Sequence, residues 1–335
     1  MNKWTKAIVL TIFYLGIARA MSIFWVTHLA AQTGITVGTL LTGSGTFPFQ
    51  YRVLGPWIIG FISQIFNLPL LSAQLIFYWL AFFAAFVALR YWLHPFVPPV
   101  ISDLAPFWLV PLIIGNVATR YPWDALTFVF MPLLLGLLYR KKWAWLVITF
   151  AIATLSRETT LLIIFAVAIL AIYSKEERKQ LLLIGLLCAL VWGVEKFLLA
   201  QLYEGAQESA MNWWTLQQNI QFFTGKLTPT DEAANLGVFH FAAKDLTDFV
   251  INTKIFYSYP LSLITFFSWA NFAWVLIFPK WRKKDFFLRQ MAWLIPIYFT
   301  IMMCVGIIFE KRIYFELYPI VIALALQTFF EGQKS

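Results

Sequence analysis

At 335 residues the chain is long enough for two soluble domains, but its composition excludes them. Of its residues 61% are apolar, 19% aromatic and only 12% charged, with a mean hydropathy of +0.75. A water-soluble globule carries about 25% charged residues, so this chain lacks the polar side chains to cover a surface in water. The net charge of +9 is not gathered on one face as a nucleic-acid-binding surface requires, and no nucleic-acid partner is expected. Cys188 and Cys304 both fall inside apolar stretches, against a disulfide framework or a thiolate metal site.

A spanning helix needs about 20 mostly apolar residues. In chain order such stretches are predicted near 7–28, 70–93, 104–118, 124–139, 143–156, 160–174, 181–200, 256–278, 287–308 and 313–330. The expected fold is therefore all-α and polytopic, with about 10 spans. Several middle stretches are too short to cross alone; they are expected to tilt, or to stop where polar backbone lines a wet cavity. Lys3 and Lys6 precede the first span, and Ala18-Arg19-Ala20 imitates a signal-peptide cleavage site. The apolar run resumes at once through Val26, which favours an uncleaved first helix. With the amino terminus inside, Arg140-Lys141-Lys142, Lys175 to Lys179 and Lys280 to Lys284 all fall on the cytoplasmic side, as the positive-inside rule asks. Both termini are then cytoplasmic.

Two long segments are left on the outer side. The loop over 29–69 starts with a Gly/Thr-rich stretch and continues Phe47-Pro48-Phe49-Gln50-Tyr51-Arg52. Its apolar part, Trp57 to Phe66, reads as an interfacial or re-entrant helix, because a full span there would invert every later loop. The segment 201–255 holds six acids against three lysines, with Trp213 and Trp214 suited to an interfacial belt. It is too short for a stable separate domain and is expected to pack on the membrane part as a cap. The organisation is thus a transmembrane module over 1–200, the cap over 201–255, and carboxy-terminal helices over 256–335.

The topology sends several charges to the outer ends of helices: Arg52, Arg120, Asp124, Arg157, Glu158, Glu310, Lys311, Arg312 and Glu316, with Arg19 deeper in the first span. Charges inside spans cost at least about 2.5–3.5 kcal/mol near a helix centre and normally face a partner or a functional pathway. Some are explained by local i,i+4 pairs, Arg120 with Asp124 and Arg312 with Glu316. Taken together, the arginines exceed what local pairing needs, and their fork of donors suits a lipid phosphate or pyrophosphate. Tyr51 and Tyr121 flank two of them. The carboxylates of this layer suit a general base or ligands for a divalent cation. His28, His94 and His240 are scattered between the two sides and do not form a shared metal site.

Ser156-Arg157-Glu158-Thr159-Thr160-Leu161-Leu162 after a basic inner turn, together with the long first outer loop and paired short helices, resembles the GT-C superfamily of integral-membrane glycosyltransferases. The likeness covers most of the first 200 residues. It implies a multi-pass enzyme of the bacterial inner membrane that works on the periplasmic face. There a polyprenyl-phosphate-linked sugar donor passes its sugar to a glycan, lipid or protein acceptor. Familiar members carry an acidic catalytic residue in the first outer loop, whereas 29–69 contains no Asp or Glu. The base then comes from Asp124 or Glu158, with Glu310 a third choice, or no carboxylate base is used, as in lipid-linked O-antigen polymerases and ligases. Arg52, Arg120 and Arg157, joined by Arg19 or Arg312, would hold the carrier phosphate. A flippase or transporter is a further alternative, although transporters usually place polar groups at the bilayer midplane.

Overall fold

A computed structural model describes residues 2–27, 36–45, 49–114, 121–203, 216–217, 219–221, 269–306 and 311–330; at 3, 114, 271, 311 and 312 it describes the backbone alone. These residues are all-helical. Helix α1 (Lys3–Thr27) is followed by the short α2 (Val37–Leu41), α3 (Leu54–Ile65) and α4 (Leu70–Leu93). Next come α5 (Pro99–Leu104), α6 (Leu109–Ile114), α7 (Pro122–Tyr139), α8 (Trp143–Thr154), α9 (Leu162–Tyr173) and α10 (Arg178–Leu202). Most of the segment 201–255, where a cap is expected, lies outside the described residues; beyond it come α11 (Phe286–Met291), α12 (Leu294–Val305) and α13 (Tyr318–Phe329).

Helices α4, α7 and α13 form the centre. Ala81, Phe82, Ala85, Phe86 and Leu89 of α4 are buried, and α13 is buried from Tyr318 to Leu326. Helix α1 packs on α4 through Tyr14, Ala18, Met21 and Trp25, a stripe at helical spacing. Its opposite face leaves Trp4, Ile8 and Ile12 exposed, which lipid would cover. The α4–α7 approach is close because Gly136 has no side chain: a Cβ there would meet the Tyr91 ring at 2.7 Å.

Among the described residues five helical stretches, against the ten expected, are long and apolar enough to cross a bilayer: Trp4–Thr27, Leu70–Leu93, Pro122–Tyr139, Arg178–Leu202 and Phe286–Val305. The spans predicted near 104–118, 143–156, 160–174 and 313–330 are shorter helices, and most of 256–278 lies outside the described residues. The physical reason is length. Helices α8 and α9 have 12 residues each, about 18 Å at 1.5 Å per residue, against a hydrocarbon core of about 30 Å. They form a hairpin closed at its base by the Lys141–Glu177 pair, and neither limb is long enough to cross unaided.

Hydrogen bonds and ion pairs sort the charged groups to two ends of the bundle. At one end, Asp103 pairs with Lys6 and Arg90, each at 2.6 Å, tying the start of α1 to the end of α4. Arg140, just past α7, donates to the Tyr91 carbonyl at 2.6 Å, and Lys141 pairs with Glu177. Lys284 donates to the Leu276 carbonyl at 3.0 Å and to Thr328 at 2.6 Å, capping the end of α13. The other end gathers Arg52, Asp124, Arg157, Glu158 and Glu316.

Helix α3 is two-faced. Gly55, Pro56, Ile59, Gly60 and Ile62 are buried, whereas Trp57, Phe61 and Ile65, spaced four apart, are exposed on one stripe. Its first turn is held to the α8–α9 hairpin by the Leu54 N–H, which donates to the Leu155 carbonyl at 3.1 Å.

Candidate functional site

The site is assembled at the tip of the α8–α9 hairpin. Arg157 and Glu158 occupy the turn itself, Asp124 lies in the first turn of α7, Arg52 precedes α3, and Glu316 lies in the 3-10 turn before α13. Asp124 is placed by its own backbone role: at the third helical position its Oδ2 accepts the Tyr121 N–H at 3.2 Å, and a carboxylate suits a helix start.

Two layers result. The deep layer is a carboxylate–guanidinium–carboxylate chain. Arg157 Nη1 lies 3.3 Å from Asp124 Oδ1, and Arg157 Nε lies 3.1 Å from Glu316 Oε1, the latter as an ion pair without hydrogen-bond alignment. Side-chain exposure is 5% for Arg157, 0% for Asp124 and 1% for Glu316. Thr159 donates to Glu316, as does the Tyr298 hydroxyl at 3.0 Å. The outer layer is a two-point pair in which Arg52 Nε donates to Glu158 Oε2 at 3.0 Å and Nη2 donates to Oε1. Here Glu158 remains 29% exposed. The Arg52 guanidinium lies 5.0 Å from the ring centres of both Phe49 and Trp123, a cation–π support that fixes its plane. Tyr121 stacks on Trp123 at 4.5 Å.

Two buried donors beside these charges, Trp123 Nε1 and Ser156 Oγ, have no hydrogen-bond partner among the described residues. The sites of Arg120 and Glu310 lie outside the described residues, as does the Arg312 side chain, so the local pairs expected for Asp124 and Glu316 are not tested. The long-range partner that both acids share is Arg157. Arg19 does not join the cluster: its guanidinium stands 5.9 Å from the Trp79 ring in the α1–α4 packing. Tyr51 is half-buried in the turn that carries Arg52. His28 and His240 are outside the described residues, and His94 is exposed at the far end of α4. Among the described residues no group of three His, Cys, Asp or Glu forms a metal site.

Comparison with protein-family models, with curated proteins and with solved structures finds no match.

Burial pushes the Glu158 carboxyl up, but the charge and hydrogen bonds of Arg52, helped by Lys196, outweigh it and hold the group at about 2. A carboxyl held below its ordinary 4.5 stabilises the folded state above that pH, and the contribution fades as pH falls from 4.5 towards 2. Thermal unfolding of the detergent-solubilised protein is expected to fall more steeply between pH 4.5 and pH 2 in the wild type than in Arg52→Gln. Equal slopes would mean that Arg52 does not set the ionisation of Glu158.

The close approach of α3 to α7 also aims Arg52. A Cβ on Gly55 would stand 2.6 Å from Pro122 Cβ, with a rigid ring behind it. Gly55→Ala is expected to cost about 1–3 kcal/mol through overpacking and to loosen the Arg52–Trp123 stack. Gly193→Ala on α10, where a new Cβ meets nothing within 4 Å, is the control that leaves thermal unfolding unchanged or raises it. Equal stability of the two variants would refute the contact.

Proposed function

We propose that this protein is a membrane glycosyltransferase that moves a sugar from a polyprenyl-phosphate carrier to a hydroxyl-bearing acceptor. In this reading the hairpin tip faces the periplasmic side of a bacterial inner membrane, which the positive-inside distribution of Lys and Arg supports. One observation carries the reading: two arginines and three carboxylates from four sequence regions meet at one end of an apolar bundle. Intramembrane charge of that kind normally marks a functional site.

In this proposal the donor phosphate competes with Glu158 for Arg52, which is stacked and partly open. The unpartnered Trp123 N–H and Ser156 O–H supply further donors to phosphate oxygens. Once Arg52 is engaged by phosphate, Glu158 loses its clamp and recovers basicity. Glu158 then accepts the proton of the acceptor hydroxyl as that oxygen bonds to the sugar's anomeric carbon. The bond from that carbon to the phosphate oxygen breaks, and its electron pair leaves with the phosphate, which needs no acid. Asp124 is wholly buried; its part is to fix Arg157 from one side while Glu316 fixes it from the other.

The absence of acids in 29–69 favours, as a second reading, a lipid-linked polysaccharide polymerase or ligase in which arginines dominate. Reconstituted protein offered a panel of undecaprenyl-phosphate sugars and of undecaprenyl-pyrophosphate oligosaccharides separates the two. Transfer from a monophosphate donor supports the first reading and transfer from pyrophosphate donors alone supports the second. No transfer from either overturns both.

A further inference from the structure

Helix α10 is the most exposed of the long helices, with Leu183, Leu186, Leu190, Val194, Phe197 and Leu198 all open, as a lipid-facing surface requires. One cation sits in its apolar outer half. Lys196 is six residues before the end of the helix at Leu202, about 9 Å along the axis, and it is half-buried between the exposed Val194 and Phe197. Among the described residues it forms no ion pair within 4 Å, while its neighbour Glu195 accepts a hydrogen bond from Thr154 at the tip of α8. That bond pins this turn of α10 to the hairpin, two residues before Ser156. The turn Phe49–Tyr51, which leads into Arg52, also packs on α10. The positive charge of Lys196 is felt at Glu158.

An ammonium in a bilayer-facing span costs several kcal/mol unless something anionic or watery is within reach. Among the described residues, the charged groups whose fields reach it are Glu158, Arg52 and its neighbour Glu195. We infer that Lys196 is the membrane-side cation of a lateral entrance between α10 and the Phe49–Tyr51 turn, receiving a lipid-borne phosphate before it reaches Arg52. The inference rests on the lipid-phosphate part of the proposed function and is independent of the sugar. Tail and headgroup divide naturally there: the chain lies along Val194, Phe197 and Leu198, and the phosphate bridges Lys196 and Arg52.

The test is binding, not turnover. Full-length protein in nanodiscs of neutral lipid is titrated with polyprenyl phosphate, with inorganic phosphate as the water-borne arm. Lys196→Gln is expected to weaken polyprenyl-phosphate binding about tenfold, to leave Lys196→Arg near wild type, and to leave thermal unfolding unchanged or higher, since a costly charge is removed. Inorganic phosphate is expected to compete only at concentrations far above those of the lipid. Unaltered lipid binding in Lys196→Gln, with Arg52→Gln impaired, overturns the entrance and leaves the phosphate site standing. Equal competition by inorganic phosphate overturns the lateral route. A wild type that does not bind the lipid phosphate overturns this inference and the donor assignment together. Binding that depends on Lys196 without transfer of any sugar upholds the inference and removes the transferase reading.

Discussion

Arg157→Met is expected to destabilise the protein by about 3–5 kcal/mol, the cost of removing one partner from a buried ion network. The size follows from geometry. Asp124 and Glu316 are 0% and 1% exposed, and Arg157 is the cation between them. Without it both buried carboxylates lose the cation they share. A second substitution separates lost charge from lost packing. Glu316→Gln added to Arg157→Met removes one of the stranded acids, so the double variant is expected to be more stable than Arg157→Met alone, with a coupling energy of about 0.5–3 kcal/mol. Thermal and denaturant unfolding of the four proteins in one detergent completes the cycle. Single and double variants of equal stability would show that the network is held by packing, and the deep layer would lose its role as an electrostatic floor.

That network explains where sequence reading succeeds and where it stops. The five long helices are legible because each is an apolar window of 18 residues or more, and a bilayer's thickness gives that number meaning. The bounds of α8 and α9 are nearly legible too, since Arg140-Lys141-Lys142 and Ser156-Arg157-Glu158 punctuate them. Each reads as a short stretch that tilts or stops at a wet cavity, and the two 12-residue helices of this hairpin are each too short to cross a bilayer unaided. The hairpin tip meets α10 at Glu195, about 10 Å short of that helix's end, so the site is recessed.

The charged layer at this end was legible as a list of residues but not as a set of pairs. Asp124 and Glu316 suggest local partners by i,i+4 spacing, yet the partner they share, Arg157, is 33 and 159 positions away. Tyr298 and Thr159, which donate to Glu316, carry no motif, and pairings that distant are set by packing, not by any local pattern. Asp103, which ties two helices at the opposite end, was likewise passed over. Lys196 did leave a signal: with Glu195 it interrupts the apolar run 181–200, and a charged pair inside a span is informative by its cost alone.

The largest expected effect on activity is at Glu158. If it is the base, Glu158→Gln lowers kcat by about 10²–10⁴, the usual contribution of a positioned proton acceptor, while donor affinity holds or improves because Arg52 is no longer occupied by a carboxylate. Arg52→Gln has the complementary signature. It removes a two-point, ring-supported guanidinium from the donor phosphate, so KM for the lipid donor rises and kcat falls as well, because the phosphate's growing charge in the transition state loses its partner. Arg52→Lys restores charge but not the planar two-point grip and rescues only in part. Asp124→Asn is the informative contrast. Asp124 is buried against Arg157 and caps α7, so its loss should appear mainly in thermal stability, with transfer lowered in proportion to misfolded protein. Single-turnover transfer in nanodiscs, with folded fraction measured in parallel, distinguishes the three patterns. Full activity in Glu158→Gln together with a large kcat loss in well-folded Asp124→Asn would reverse the two roles and make the buried carboxylate the base. Full activity in both would remove a carboxylate base from the mechanism and leave the arginine-dominated polymerase or ligase chemistry as the account of this site.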